Sequence, residues 1–145
     1  MKPITVLLAD DNRLVRKTFR KILEVEDDLE VVGEAKDGKQ AVALVKKFRP
    51  AMVLMDLSMP VLNGLEATAQ ILAAFPATKI LMLSSYSDEV YMEAAANSGA
   101  LGYLLKHSAG TSVCAALRQV QQGRTVFSPS VSKRFRQRNW EPARD

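Results

Sequence analysis

Two rhythms of apolar residues alternate along this chain. Short unbroken runs alternate with longer stretches in which apolar positions recur every three or four residues. Ile4-Thr5-Val6-Leu7-Leu8-Ala9 is apolar and partly β-branched and stops at Asp10-Asp11-Asn12, which predicts a strand. Val15, Phe19, Ile22 and Leu23 then recur at helical spacing with Arg16, Lys17, Arg20 and Lys21 between them, which predicts an amphipathic helix closed by Glu26-Asp27-Asp28. The alternation repeats. Leu29 to Ala35 predicts a second strand, and Ala41, Leu44, Val45 and Phe48 predict a helix that Pro50 stops. Met52-Val53-Leu54-Met55 runs into Asp56, and Pro60 prevents the strand from continuing. Asn63-Gly64 opens a helix carrying Leu65, Ala69, Leu72 and Phe75, and Lys79 to Leu83 predicts a fourth strand ending at Ser84-Ser85. An alanine-rich helix from Asp88 to Ser98, a short strand Tyr103-Leu104-Leu105 ending at Lys106, and a helix from about Thr111 to Gln122 complete the pattern.

Five strand-helix alternations with nearly continuous apolar strands predict an α/β fold, a parallel sheet covered by helices on both faces. Right-handed crossovers can populate both faces only if the winding reverses within the sheet, and the expected strand order is 2-1-3-4-5. In open sheets of this kind, ligands bind beyond the carboxyl ends of the strands. Those ends carry the candidate chemistry. Asp10-Asp11 follows the first strand, Asp56 the third, Ser84-Ser85 the fourth and Lys106 the fifth. A single Asp after a strand serves equally well as a turn former or helix N-cap, so Asp56 alone decides nothing. Three convergent carboxylates raise one another's pKa unless a cation compensates. Oxygen-only donors suit Mg2+. A carboxylate held beside a divalent cation and an ammonium can accept a phosphoryl group, which makes Asp56 a candidate nucleophile.

At this point the motifs resemble those of the response-regulator receiver domain, from Ile4 to about Gln122. The matching features are Asp10-Asp11, Asp56-Leu57-Ser58-Met59-Pro60 with Gly64 after it, Ser84, and Gly102-Tyr103-Leu104-Leu105-Lys106. The fifth-strand pattern and the segment from Gly123 to Pro129 are most similar to the NarL/FixJ (LuxR-type) transcription regulators. The resemblance implies a flavodoxin-like (βα)5 three-layer sandwich, and the order 2-1-3-4-5 is that of the family's chemotaxis member. It implies Asp56 as phosphoacceptor and Asp11, Asp56 and the backbone carbonyl of Ser58 as direct Mg2+ ligands, with Asp10 reaching the metal through water. It further implies Ser84 as the hydroxyl that turns toward the phosphoryl group, Lys106 as its ammonium partner, and Tyr103 as an aromatic that reports the state. Tyr103 can equally be a core or rim aromatic without a switching role. The implied partners are a sensor histidine kinase and, after phosphorylation, a second copy of the chain. The implied class is a phosphoacceptor signalling domain, enzymatic only in its own phosphotransfer and dephosphorylation.

Composition narrows the alternatives. The 145 residues are 48% hydrophobic and 25% charged, enough for one full core, and no stretch approaches the roughly 20 apolar residues of a membrane span, so a cytoplasmic location is expected. Cys114 is the sole cysteine and is expected to pack. Residues 1–123 hold 14 Lys/Arg against 14 Asp/Glu, whereas 124–145 hold six against two, so the net charge of +4 belongs to the tail. The expected division is a receiver over 1–123 and a basic tail over 124–145, too short for a helix-turn-helix output domain. DNA binding is therefore expected only through an output domain absent from this sequence. A stand-alone or phosphorylation-independent receiver that binds protein remains the alternative. A haloacid-dehalogenase-type phosphatase needs a second Asp two residues after Asp56, where this chain has Ser58, and a dinucleotide fold needs glycines where it has Asp10-Asp11-Asn12-Arg13. His107 replaces the proline that often follows the site lysine, so a trans bond and a solvated loop position are expected. The face of the first helix bearing Arg13, Arg16, Lys17, Arg20 and Lys21 is expected to be exposed, and serves equally well as a partner-choosing surface or as an ordinary solvated face.

Overall fold

The computed structural model describes residues 2–127. The greater part of the basic tail, from residue 128 on, lies outside them. Six strands, β1 (Ile4–Ala9), β2 (Leu29–Ala35), β3 (Met52–Asp56), β4 (Lys79–Ser84), β5 (Gly102–Leu105) and β6 (Val126–Phe127), form one parallel sheet in the order β2-β1-β3-β4-β5-β6. The helices are α1 (Arg13–Glu24), α2 (Gly38–Phe48), α3 (Gly64–Ala74), α4 (Glu89–Ser98), α5 (Lys106–Ala109) and α6 (Val113–Gln121). The fold is an α/β sandwich, as the strand pattern implies, and flavodoxin-like, as the resemblance implies.

Side-chain alternation along the strands divides the core in two. Leu7, Val53, Met55, Ile80, Met82 and Tyr103 face one way and pack with Ala41, Val45, Ala67, Ile71, Met92 and Ala95 of α2, α3 and α4. Val6, Leu8, Leu54, Leu81, Leu83 and Leu104 face the other way, against Phe19 and Leu23 of α1 and Val113, Leu117 and Val120 of α6. Both faces are buried against helices, which is why the strands read as continuous apolar runs. The helix starts are built locally. Asn12 accepts from the Leu14 and Val15 amides, Asp37 accepts from Gln40, and Asn63 with Glu66 forms a reciprocal capping box. By contrast, α4 has no side-chain cap bond and fully buries only Met92 and Ala95.

Four features differ from the sequence expectations. A sixth strand, within the stretch assigned to the tail, joins the sheet: Val126 pairs with Gly102 and Phe127 with Tyr103. The final helix runs Val113–Gln121 much as expected, but a separate helical turn at Lys106–Ala109 precedes it. His107 is exposed but lies in that turn, not in a loop, and its peptide bond is trans. The basic face of α1 is also only partly free. Arg13, Lys17 and Lys21 are exposed, but Arg16 and Arg20 lean onto β2, where both bind Glu34.

Two glycines let α2 and α3 approach the β3–α3 loop. A Cβ on Gly38 would overlap the Leu62 carbonyl, and one on Gly64 would overlap the carbonyl oxygen of Asp56 itself. Since the obstacles are backbone atoms, Gly64→Ala should cost at least about 2 kcal/mol. Urea unfolding should show a lowered midpoint with unchanged slope, and a midpoint equal to that of wild type would refute the tight-approach argument.

Candidate functional site

Register brings the strand ends together. Ala9 lies opposite Met55, Asp56 opposite Leu83 and Ser84 opposite Leu105, so Asp10, Asp56, Ser84 and Lys106 form a staircase along one edge of the sheet. β1 and β3 flank the reversal of winding, with β2 on one side and β4 and β5 on the other, which leaves a crevice between their carboxyl ends. The crevice is open, about 420 Å³, and is lined by Asp11, Asp56, Ser58, Ser85, Tyr86 and Lys106 among others.

Each side chain is held by its neighbours. Asp10 and Asp56 are almost fully buried, whereas Asp11 is exposed. One carboxylate oxygen from each of the three lies within 4.8 Å of the others. The Lys106 ammonium reaches Asp10 Oδ2 at 2.8 Å and Asp56 Oδ1 at 3.2 Å. The Lys106 ammonium is the partner of Asp10 Oδ2. The Asn12 amide donates to Asp10 Oδ1 at 2.8 Å, and the Ser58 amide makes a longer bond to Asp56 Oδ1 at 3.4 Å.

One lysine does not balance this cluster. Burial, reinforced by the neighbouring charge of Asp10, pushes the Asp56 carboxyl up to about 7 despite the opposing pull of Lys106. Burial by itself would lower the Lys106 ammonium, but its bond to Asp10 and the charges of Asp56 and Asp10 leave it raised. The donors are all oxygen, their net charge is negative and the crevice is open to solvent. That set suits a hard divalent cation, which would relieve the repulsion.

The remaining residues lie where the strand pattern puts them. Ser84 is fully buried at the end of β4, and its Oγ accepts from the Tyr86 amide at 3.0 Å. Tyr103 is also fully buried, so it is not a rim aromatic; its hydroxyl donates to the Tyr86 carbonyl at 2.7 Å and is hydrogen-bonded to Ser84. Tyr86 in turn stacks on Tyr91 of α4, ring centroids 4.6 Å apart, beside the mouth of the crevice. Ser84, Tyr103, Tyr86 and α4 therefore form one connected unit.

Sequence reasoning missed two contributors. Val61 has φ of +69°, and the Leu62 amide donates to Pro60 O at 2.7 Å across it, a tight turn that is strained for a β-branched residue. Its neighbours gave no sign, because Pro60 and Asn63 suggest a loop without specifying its handedness. Arg16 donates to the Asp10 carbonyl at 2.7 Å, from a helix position that reads as solvated. Its usable signal is Glu34, the acidic residue one position before the end of β2, half-buried where Glu30 of the same strand is exposed.

The fold and the acidic crevice define a receiver of the two-component type, and the chain belongs to the response regulator receiver domain family, whose model matches residues 6–118. Its relatives are transcription regulators. It is 39% identical over 129 residues to the transcriptional regulatory protein DegU of Brevibacillus brevis, covering 89% of this chain and 55% of that protein. It is 41% identical over 128 residues to the oxygen regulatory protein NreC of Staphylococcus carnosus, covering 88% and 59%. The chain thus spans little more than half the length of these relatives. Among solved structures, a LuxR-family two-component response regulator from Aurantimonas sp. SI85-9A1 superposes with a TM-score of 0.88 at 29% identity, over 97% of this chain and all of that one, 100%. The receiver domain of the putative response regulator NarL from Mycobacterium tuberculosis gives 0.82 at 31% identity, over 86% and 100%.

The raised Asp56 carboxyl has a measurable consequence for the metal-free protein. Between its ordinary 3.8 and about 7 the native state holds a proton that the unfolded chain has lost, so this group's contribution to stability falls as pH rises through that window. Asp56→Asn removes the titration. In a chelator, the mutant should gain roughly 2 to 4 kcal/mol over wild type between pH 4 and pH 8, one pKa unit being worth about 1.4 kcal/mol. Parallel pH profiles in urea unfolding would contradict the shift.

Proposed function

We propose that Asp56 accepts a phosphoryl group from a sensor histidine kinase, and that the chain responds by switching conformation and pairing with a second copy to control an output. The observation that carries this reading is the convergence of Asp10, Asp11 and Asp56 on one open crevice with Lys106. Mg2+ fits the donor set: Asp11, Asp56 and the Ser58 carbonyl would hold it directly and Asp10 through water. When bound, it would offset the charge on the transferring phosphoryl oxygens.

The chain's own residues do the rest. Asp56, ionised, attacks phosphorus in line with the leaving imidazole of a phosphohistidine, or with the acetate of acetyl phosphate. The P–N or P–O bond breaks as the acyl phosphate forms. Lys106, already 3.2 Å from Asp56, pairs with the new phosphoryl charge, and Ser84 would turn from the Tyr86 amide to donate to it. Turning Ser84 removes a partner from Tyr103 and releases the Tyr86–Tyr91 stack, which links chemistry at Asp56 to the packing of α4. A ligand shifts a two-state equilibrium only by its differential contacts with the two states, and Ser84 and Lys106 supply them here. The setting is a cytoplasmic two-component pathway; no described helix is long and apolar enough to cross a membrane. Transcription control would run through an output domain like that of the LuxR-family regulators, which alone would bind DNA.

Incubation with acetyl phosphate and Mg2+ should add one alkali-labile phosphoryl mass to the intact protein, and Asp56→Asn should remove it. A mutant that still carries the adduct would sink the assignment, as would phosphorylation of wild type at an unchanged rate in a chelator. Beryllofluoride with Mg2+ should alter hydrogen exchange most between Ser85 and Lys106 and shift the protein toward dimers. Uniform protection with a monomer's elution volume would rule out the switch.

A further inference from the structure

Arg16 sits behind the acidic cluster and plays no part in the chemistry just described. We propose that it is a positioning residue for the cation site: locked by Glu34, its guanidinium fixes the Asp10–Asp11 peptide and thereby aims both carboxylates into the crevice. The inference rests on the divalent-cation site proposed above.

The geometry follows from planarity. The Asp10 carbonyl and the Asp11 amide belong to one rigid peptide plane, so seizing the oxygen sets the rotation of that plane and the directions in which both side chains leave the backbone. Arg16 Nη1 holds this oxygen at 2.7 Å. Before it, the Asp10 amide donates to Ala35 O at 3.0 Å, and after it the Asn12 amide donates to Asp10 Oδ1 at 2.8 Å. The peptide that joins the two acids lies between these restraints, where Arg16 grips it.

An arginine on its own could swing away. This one cannot, because Nε donates to Glu34 Oε1 at 3.1 Å, and a planar fork whose Nε is fixed has its Nη1 fixed too. Glu34 is itself held through Oε2 by Arg20 at 2.6 Å, and Arg20 by Glu24 at 3.0 Å. These bonds to Arg20 and Arg16 more than offset partial burial and hold the Glu34 carboxyl below its ordinary range, so it stays charged. The Arg16 side chain is only 15% exposed, closed in beside Asp10 and Phe19. A lysine has one nitrogen where Arg16 uses two, Nε and Nη1, so it lacks the planar fork that holds both acceptors in a fixed relation. Residues that orient metal ligands from behind typically matter tenfold or more to affinity.

A plain strut between α1 and β2 would lower stability and leave the cation site alone, so stability and affinity must be read separately. Mn2+ titration followed by the electron paramagnetic resonance signal of the free ion, with Mg2+ as competitor, measures the site without any phosphodonor. Arg16→Gln should weaken both ions about tenfold. Glu34→Gln, which touches no member of the cluster, should weaken them in the same direction, and Arg16→Lys should not restore wild-type affinity. Urea unfolding in a chelator confirms that each variant is folded; if Arg16→Gln is not, Glu34→Gln decides. Wild-type affinity in folded Arg16→Gln or in Glu34→Gln would overturn the inference and leave a strut, and full rescue by lysine would overturn the role of the fork. Absence of Mn2+ and Mg2+ binding in wild type would instead overturn the cation site on which the inference rests.

Discussion

Repulsion among three carboxylates at the mouth of a parallel sheet is the constraint around which this molecule is arranged. Asp10 and Asp56 are buried, and burial, reinforced by the Asp10 charge, raises the Asp56 carboxyl even though Lys106 contacts both. Such a cluster is costly to fold and would relax if its backbone could move. It does not relax, because both strands that carry it lie in the middle of the sheet with apolar layers on each side. The resulting electrostatic strain is what makes the site receptive: a cation or a transferring phosphoryl group finds donors already in place and charge already waiting for compensation.

The loops around the cluster are stiffened to the same end. Gly64 lets α3 start against the Asp56 carbonyl, its amide donating to Leu57 O at 2.9 Å, and Gly38 brings α2 against the Leu62 carbonyl. Pressed between two helix starts, the loop tolerates a left-handed Val61, a conformation costing on the order of 1 to 3 kcal/mol where nothing enforces it. On the opposite wall, Arg16 and Glu34 tie the first acidic loop to β2.

The far side of the crevice is built in the opposite manner. α4 lacks a capping side chain, buries two residues and meets the rest largely through alanines, so alternative packings cost little. It touches the site through Tyr86, whose ring stacks on Tyr91 and whose carbonyl accepts from buried Tyr103. Tyr103 in turn pairs across the sheet with Phe127 of β6, and a Cβ on Gly102 would overlap the Val126 carbonyl. The strand that leads into Lys106 thus also holds Val126 and Phe127, which gives a rigid acceptor wall and a yielding responder wall on either side of one reacting carboxylate.

Strand-ending residues were legible in the chain because a buried parallel strand has no polar face: Asp56 after Met52-Val53-Leu54-Met55, or Lys106 after Tyr103-Leu104-Leu105, marks where solvent begins. The α/β class, five of the six strands, the order of the first five and the convergence of Asp10, Asp11, Asp56, Ser84 and Lys106 all follow from that single physical fact together with the family resemblance. What the chain concealed depends on which surfaces meet. Val126-Phe127 is too short to register as a strand until Gly102 offers it an edge to pair with. Val61 adopts its turn under pressure from Gly38 and Gly64, which lie outside its local sequence window or are ambiguous within it. Arg16 has the spacing of a solvated helix face, and only the approach of Glu34, 18 residues away, turns it inward. Periodicity records whether a position meets water or apolar neighbours; which charged group it meets is decided by tertiary packing, because an ion pair needs two partners and a sequence window contains one.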